Sequence, residues 1–367
     1  MVQNIKIGPR QFRKLVILFT VGNSILFLPT LLAEEAKQDA WIASIIGVGG
    51  GLLLVWFYQT VARLFPTMTF AEYIPTIFGK WLGRMIVLLF FAFSFGLSII
   101  LLRSLGDFMT ITTLPETPKL AVHIFFLGVV MLGAIYGLEN IVRTCEICIP
   151  WLYIFMLLFF LLVMTDIKLD NVRPVFEQGL VPILNGSFLL ISSTFLELVL
   201  FLVIYPQVKI EKNTKNHFLL GAAMGGGILI VSSFLVVSIL GAEETATQLY
   251  PIYILSQQIK IENVIRRIEG LLSAIWIVTI YFKLLICFYI SVISLTQTLG
   301  LKNYRLLSLP LAVILVTLSI KLFSDINHFI EFMTKIWPSI SLGFGLLLPL
   351  ILLLVWAIKT KVFKLKK

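Results

Sequence analysis

Between residues 12 and 358 the chain is a succession of apolar stretches separated by short polar connections. A membrane-crossing helix needs about 20 mostly apolar residues. Ten stretches qualify: 12–32, 40–63, 84–112, 119–137, 141–165, 187–207, 216–241, 269–298, 306–323 and 336–358. The composition agrees. The chain is 59% hydrophobic and 13% charged, whereas soluble domains have about 45–50% apolar and about 25% charged residues. The expected fold is an all-α integral membrane protein, a single transmembrane domain over residues 1–367 embedded in the lipid bilayer. No polar stretch is long enough for a sizeable aqueous domain. "TFAEYIPTIFGKWLG" (69–83) reads as a surface helix between the second and third spans. The first apolar run is too long for a cleavable signal and has no clear small-residue cleavage site.

The formal charge is +10. Membrane topology explains it better than nucleic-acid binding, because the basic residues sit at the ends of the spans. One set of ends holds Lys6, Arg10, Arg13, Lys14, Arg63, Lys80, Arg84, Arg143, Lys209, Lys212, Lys215, Lys302, Arg305 and the tail "KTKVFKLKK". The other is richer in acids, among them Glu34, Glu35, Asp39, Glu116, Asp166, Glu243, Glu244 and Asp325. Positive residues stay on the cytoplasmic side, so both termini are expected there, which requires an even number of spans. The long outer connections, 166–186 and 242–268, are expected to carry short helices. Cys145 and Cys148 form a C-x-x-C inside an apolar helix with no second pair, which reads as inert. No metal-ligand spacing, nucleophile–base arrangement or phosphate loop is present. The sequence therefore predicts no enzyme, no catalytic residues, no metal and no cofactor.

One span is interrupted. "VGNSILFLP" (21–29) puts Gly22, Asn23 and Ser24, all weak helix formers, in mid-membrane, and Pro29 removes a backbone donor. Such a stretch is tolerated where the backbone faces protein or a cavity. The sixth span has a counterpart: "SST" (192–194), Glu197 and then Pro206. Glycine runs open the second and seventh spans ("GVGGG", 47–51; "GAAMGGG", 221–227), and Arg103 and Lys283 place a base in the third and eighth. Each pair lies five spans apart, so its members run in opposite directions. This is the signature of a five-plus-five inverted repeat. Repeat one covers about 12–165 and repeat two about 187–323, followed by the final helix to 358. In that architecture spans 1 and 6 are broken near the midplane, here around Gly22–Ser24 and Ser193–Glu197. Free N–H groups there face a carboxylate, and free C=O groups face a cation or ammonium. The alternative is a packing kink. The glycine runs read as close helix packing.

Five ionisable groups fall inside spans. Glu146 lies one turn from Arg143 and is expected to pair with it at the interface. Arg103 and Asp107 are spaced i,i+4, which suits a same-helix ion pair; the alternative is an outer gate over the site. Glu197 and Lys283 lie near mid-span, where a charge costs at least about 2.5–3.5 kcal/mol. Glu197 would receive a ligand ammonium or fix the broken backbone. Lys283 would act as a fixed internal cation where a sodium-coupled relative holds sodium. A buried Glu–Lys pair holding the bundle together is the alternative for both.

Several stretches resemble the B subunits of bacterial spore germinant receptors. They are "IGPRQFRKLVILFTVGNSILFLP" followed by "AKQDAWIASIIG", the loop "NVRPVFEQGLVPILNGS" (171–187), "FLELVLFLVIYPQV" (195–208) and the short basic tail. The resemblance covers essentially the whole chain and implies the LeuT-like, ten-helix fold of the amino acid–polyamine–organocation superfamily. It implies a protein of the inner spore membrane, working with an A subunit and a lipoprotein C subunit. Such a subunit binds a germinant, often an amino acid, in a transporter-like pocket and so triggers germination. By motif the site falls on Gly22, Asn23 and Ser24, with Ser193, Thr194 and Glu197 opposite; Ser98, Thr279 and Lys283 line the remaining walls. Apolar walls and small hydroxyls suit a small or medium apolar side chain, because a charged one would cost several kcal/mol to desolvate. A working amino-acid permease, proton- or sodium-coupled, is the competing function.

Overall fold

A computed structural model of the chain describes residues 6–66, 68–209, 214–258 and 268–364. Among these, regular structure is helical throughout, with one isolated backbone bridge between Ile7 and Val208. The α-helices are α1 (Pro9–Val21), α2 (Ser24–Ala36), α3 (Ala40–Leu64), α4 (Phe70–Phe78), α5 (Lys80–Phe108), α6 (Lys119–Tyr136), α7 (Leu138–Val163), α8 (Leu180–Leu190) and α9 (Phe201–Ile204). Then follow α10 (Thr214–Leu240), α11 (Ala242–Thr247), α12 (Pro251–Gln258), α13 (Ile268–Leu299), α14 (Arg305–Lys321), α15 (Ile326–Glu331), α16 (Trp337–Leu342) and α17 (Leu348–Lys364).

Among the described residues, eight continuous helical stretches are long and apolar enough to cross a membrane. The first, Ser24–Leu64, contains both α2 and α3, which are joined by a turn at Lys37 (φ 47). Helices α1 (13 residues) and α14 (17 residues) are shorter. The stretch Leu180–Gln207 is the most enclosed, with 83% of its most apolar window buried, and Ile326–Thr360 the least, at 22%. The broken sixth span therefore runs through the core while most of the last one faces lipid. Glycine sets the spacing at two contacts. A Cβ on Gly221 of α10 would lie 2.9 Å from the Arg13 carbonyl of α1, and one on Gly51 of α3 would strike the Phe195 ring. The glycine runs are packing surfaces.

The stretch 69–83 divides differently from the expected surface helix. The Thr69 N–H donates to the Glu72 carboxylate at 2.8 Å where α4 starts, Gly79 ends it at φ +86, and Lys80 already opens α5. Phe70, Tyr73, Ile74 and Ile77 of α4 are buried, so α4 is wedged against the bundle and does not lie free on its surface. Single 3₁₀ turns (Met164–Asp166, Leu169–Val172) and helices α11 and α12 occupy the long connections. Residues 259–267 of the second connection, Lys212 and the last three residues of the tail lie outside the described residues.

Glu146 does not pair with Arg143. It faces α1, where Lys14 Nζ reaches it at 3.1 Å and Gln11 Nε2 donates to it at 2.9 Å. Arg143 turns instead to Glu139, four residues back, at 2.6 Å. The inter-helix partner prevails because Glu146 lies on the face of α7 that packs on α1. The Arg103–Asp107 pair forms within α5 (2.7 Å) and is extended from outside it. Lys119 pairs with the second Asp107 oxygen, and Arg103 Nη1 donates to the Phe323 carbonyl at 2.9 Å.

Candidate functional site

The first helix breaks at Gly22. Its φ of +26° is open to glycine and strained for L side chains. Its N–H closes α1 on Leu18 O (2.9 Å), and its carbonyl accepts from Thr279 Oγ1 of α13 (3.1 Å). The Lys283 side chain lies over the place a Cβ would take. Asn23 stands at the N-cap position of α2 without a side-chain cap bond and is buried; its Nδ2 donates to Ser104 Oγ at 3.3 Å, while its Oδ1 has no protein partner. Ser24 Oγ meets Thr194 Oγ1 at 2.8 Å, which ties the first break to the sixth span.

In the sixth span the expected unwinding takes the form of a change of pitch. After α8 the chain makes a π-turn (Ile191–Phe195), tightens to 3₁₀ (Leu196–Leu200) and then becomes α9. Ser192 and Ser193 both return their hydroxyls to the Leu189 carbonyl, an alternative bond that suits local rewinding. The change of pitch brings Ser193 and Glu197 to the same cavity.

Glu197 and Lys283 are both buried, with Oε2 and Nζ 2.7 Å apart. Oε2 is held by this close ion pair alone, outside hydrogen-bond geometry. The other oxygen, Oε1, accepts from the indole Nε1 of Trp337 at 2.9 Å. Lys283 Nζ also sits 5.1 Å from the centre of the Phe19 ring, a cation–π distance.

Around these groups lies a small cavity. Its lining comprises Asn23, Ser24, Ser193, Glu197 and Lys283, with apolar walls of Phe27, Leu28, Leu31, Leu97, Ile100, Leu101, Phe329, Ile330 and Met333. Gly22, Thr194 and Thr279 stand behind that lining as supports. Ser98 does not line it, because its hydroxyl turns back to the Ser94 carbonyl (2.9 Å). The wall residues Phe329, Ile330 and Met333 fall in what reads from sequence as a connection before the last span (336–358), whereas the helical stretch already begins at Ile326; Trp337, just behind them, gave no signal as one apolar residue in an apolar span. Room for water centres inside is about 50 Å³, enough for a few waters. At the end where α2 meets α11 lies a second cleft of about 280 Å³ lined by Thr30, Glu34, Gln248 and Asn327 among others. Phe27, Leu31 and Ile330 line both spaces, so a single layer of side chains separates them.

A buried cavity where a broken first helix meets a rewound sixth one defines a transporter-fold membrane protein. Two solved structures share the fold. MhsT in complex with L-phenylalanine superposes with a TM-score of 0.70 over 95% of this chain and 97% of its own, at 12% identity. Mhp1, a nucleobase-cation-symport-1 family transporter in a closed conformation, gives 0.67 over 93% and 77%, at 15% identity. The chain belongs to the spore germination protein family, which it matches over residues 6–328. It is 26% identical to spore germination protein KB of Bacillus subtilis (strain 168) over 367 residues, covering 98% of this chain and 97% of that one. Family and fold are those of membrane receptor or transporter-like proteins, not of enzymes.

Proposed function

We propose that this chain is the germinant-sensing subunit of a spore germination receptor. It binds a small nutrient, an amino acid, in the central cavity, and occupancy triggers germination. The observation that carries this reading is the polar set at the cavity. Two lining residues carry buried acceptors, Asn23 Oδ1 without a protein partner and Glu197 Oε2 on its ion pair, and Lys283 lines the same space. Acceptors answer a ligand ammonium, Lys283 answers its carboxylate, and the Leu, Ile, Phe and Met walls answer an apolar side chain. The nine residues Gly22, Asn23, Ser24, Ser98, Ser193, Thr194, Glu197, Thr279 and Lys283 are then the site's candidates, with Ser98 the weakest. The family supports the germination role, with receptor A and C subunits as partners in the inner spore membrane. The chain is read as one domain of two inverted repeats. Dose–response curves for alanine, valine and leucine on spores carrying only this receptor test the reading; silence to every amino acid would end it.

Transport is the second reading, favoured by the second cleft lying one side-chain layer from the cavity. The resident ammonium of Lys283 argues against a sodium ion at the same place. Uptake of labelled amino acid by vesicles containing this chain alone separates the two functions.

The layer itself is testable. Ile330→Ala is expected to thin it and to speed reaction of Ser193→Cys with a small thiol reagent several-fold. An unchanged rate would mean that the cavity opens elsewhere.

The loop charges support a cytoplasmic position for both termini. Thr360→Cys is therefore expected to resist a membrane-impermeant label applied to intact cells; efficient labelling would invert the topology.

A further inference from the structure

Glu197 has two partners of different character. Lys283 is a charge on a flexible four-carbon stem. It already touches a second resting place, the face of Phe19. Trp337 is rigid and buried. Its ring stacks on Phe93 of α5 with centroids 5.5 Å apart and planes within 6°, and the Phe332 ring lies 6.4 Å away at a 39° tilt. Its indole N–H ends on Glu197 Oε1 at 2.9 Å. Trp337 opens α16 directly after a π-turn, Phe332–Ile336. Met333 within that turn, and Phe329 and Ile330 just before it, line the cavity. One stretch of the last span thus walls the ligand space and holds its carboxylate.

A ligand ammonium that comes to Glu197 meets one of these partners at either oxygen, Lys283 at Oε2 or the indole at Oε1. The lysine can withdraw to the aromatic face. The indole is clamped and has nowhere to go. We propose that Trp337 is a positioning residue for the ligand: its N–H fixes Glu197 Oε1, so that Oε2, the oxygen now on Lys283, is the one presented to an incoming ammonium. The proposal rests on the reading of the cavity as an amino-acid site, and it assigns the ammonium end of that ligand to one oxygen atom.

Trp337→Phe keeps an aromatic ring for the stack on Phe93 and removes the donor. The test measures thermal protection of the purified full chain by alanine, valine and leucine, and by the 2-hydroxy acid matching each. In the unchanged protein the amino acid is expected to bind about tenfold or more tightly than its hydroxy analogue, since a hydrogen-bonded charge is at stake. In Trp337→Phe that preference is expected to fall toward one, with the hydroxy acid's own affinity kept. A purely structural role would weaken both ligands alike and leave the ratio intact, which would overturn the proposal. If no amino acid protects the unchanged protein, the amino-acid reading falls, and the proposal with it. A ligand-bound structure of the unchanged protein decides the matter should Trp337→Phe not fold. The ammonium on Oε2 with the indole still on Oε1 supports the assignment. The ammonium on Oε1 with Trp337 displaced overturns it.

Discussion

Glu197→Gln is expected to abolish the ligand response and to destabilise the protein, while Glu197→Gln combined with Lys283→Met is expected to recover the stability and not the response. The two side chains are buried with their charges 2.7 Å apart. Removing one partner leaves the other charge buried and uncompensated, which costs about 3–5 kcal/mol. Removing both costs far less, because two desolvation penalties vanish together with one attraction; apolar replacements of such pairs are often neutral. Methionine has nearly the reach of the lysine stem, and its thioether makes favourable contact with an aromatic face such as Phe19. The melting temperature of the detergent-purified protein should therefore drop sharply in the single variant and return to near the starting value in the double one. Germination of spores carrying either variant as their only receptor should stay absent. A double variant as unstable as the single one would show that the pair is not what the mutation breaks. A double variant that responds normally would remove Glu197 from the site and leave the pair as a structural fastener.

The extent to which this arrangement could be read from sequence follows from how each residue signals. Gly22, Asn23 and Ser24 stand out because lipid-exposed helices do not tolerate such a run, so the break was readable as a local violation. Glu197 and Lys283 were readable for the same reason, as charges at mid-span. Their mutual distance was not, since it depends on where α13 crosses the first and sixth helices. The sixth span was harder to read. Two serines and a threonine mark the place, but whether the chain unwinds or changes pitch is decided by packing against Gly51 and Ser24. The wall residues Phe329, Ile330 and Met333 lie ahead of the expected last span, in a stretch that reads as a connection, and Trp337 behind them was silent. In a membrane span an apolar residue is expected whether it faces lipid, protein or ligand, so periodicity loses its power to mark a buried face. Ser98 misled for a related reason. A serine in an apolar helix attracts attention, but its hydroxyl is satisfied by the preceding turn of its own helix. Glu146 shows that spacing along one helix is not proximity: Lys14 and Gln11 on the α1 face are its partners, and Arg143 is not.

Gly22→Ala is expected to cost the response nearly as much as Gly22→Leu, because the obstacle at this position is the first carbon. With φ +26° and ψ −121°, Gly22 sits in a sparsely populated backbone region where a side chain costs roughly 1–3 kcal/mol. An added Cβ would also meet the Lys283 stem and would lie 2.7 Å from the Phe19 carbonyl oxygen. The lysine can swing aside, but the carbonyl belongs to the last turn of α1 and cannot. Overpacking of this kind adds about 1–3 kcal/mol. Any movement of Lys283 also disturbs the oxygen of Glu197 that the ligand needs. If about 1.4 kcal/mol of this falls on the binding-competent state, the ligand concentration for half response rises about tenfold. Gly96→Ala is the matching control: it lies in α5 beside the cavity-lining Leu97, and a Cβ there meets nothing within 4 Å. Dose–response curves should rank Gly96→Ala with the unchanged receptor and place both Gly22 variants far to the right or flat, at equal abundance in the spore membrane. Equal sensitivity of Gly22→Ala and Gly96→Ala would mean that the break at Gly22 accommodates a neighbouring helix and takes no part in binding.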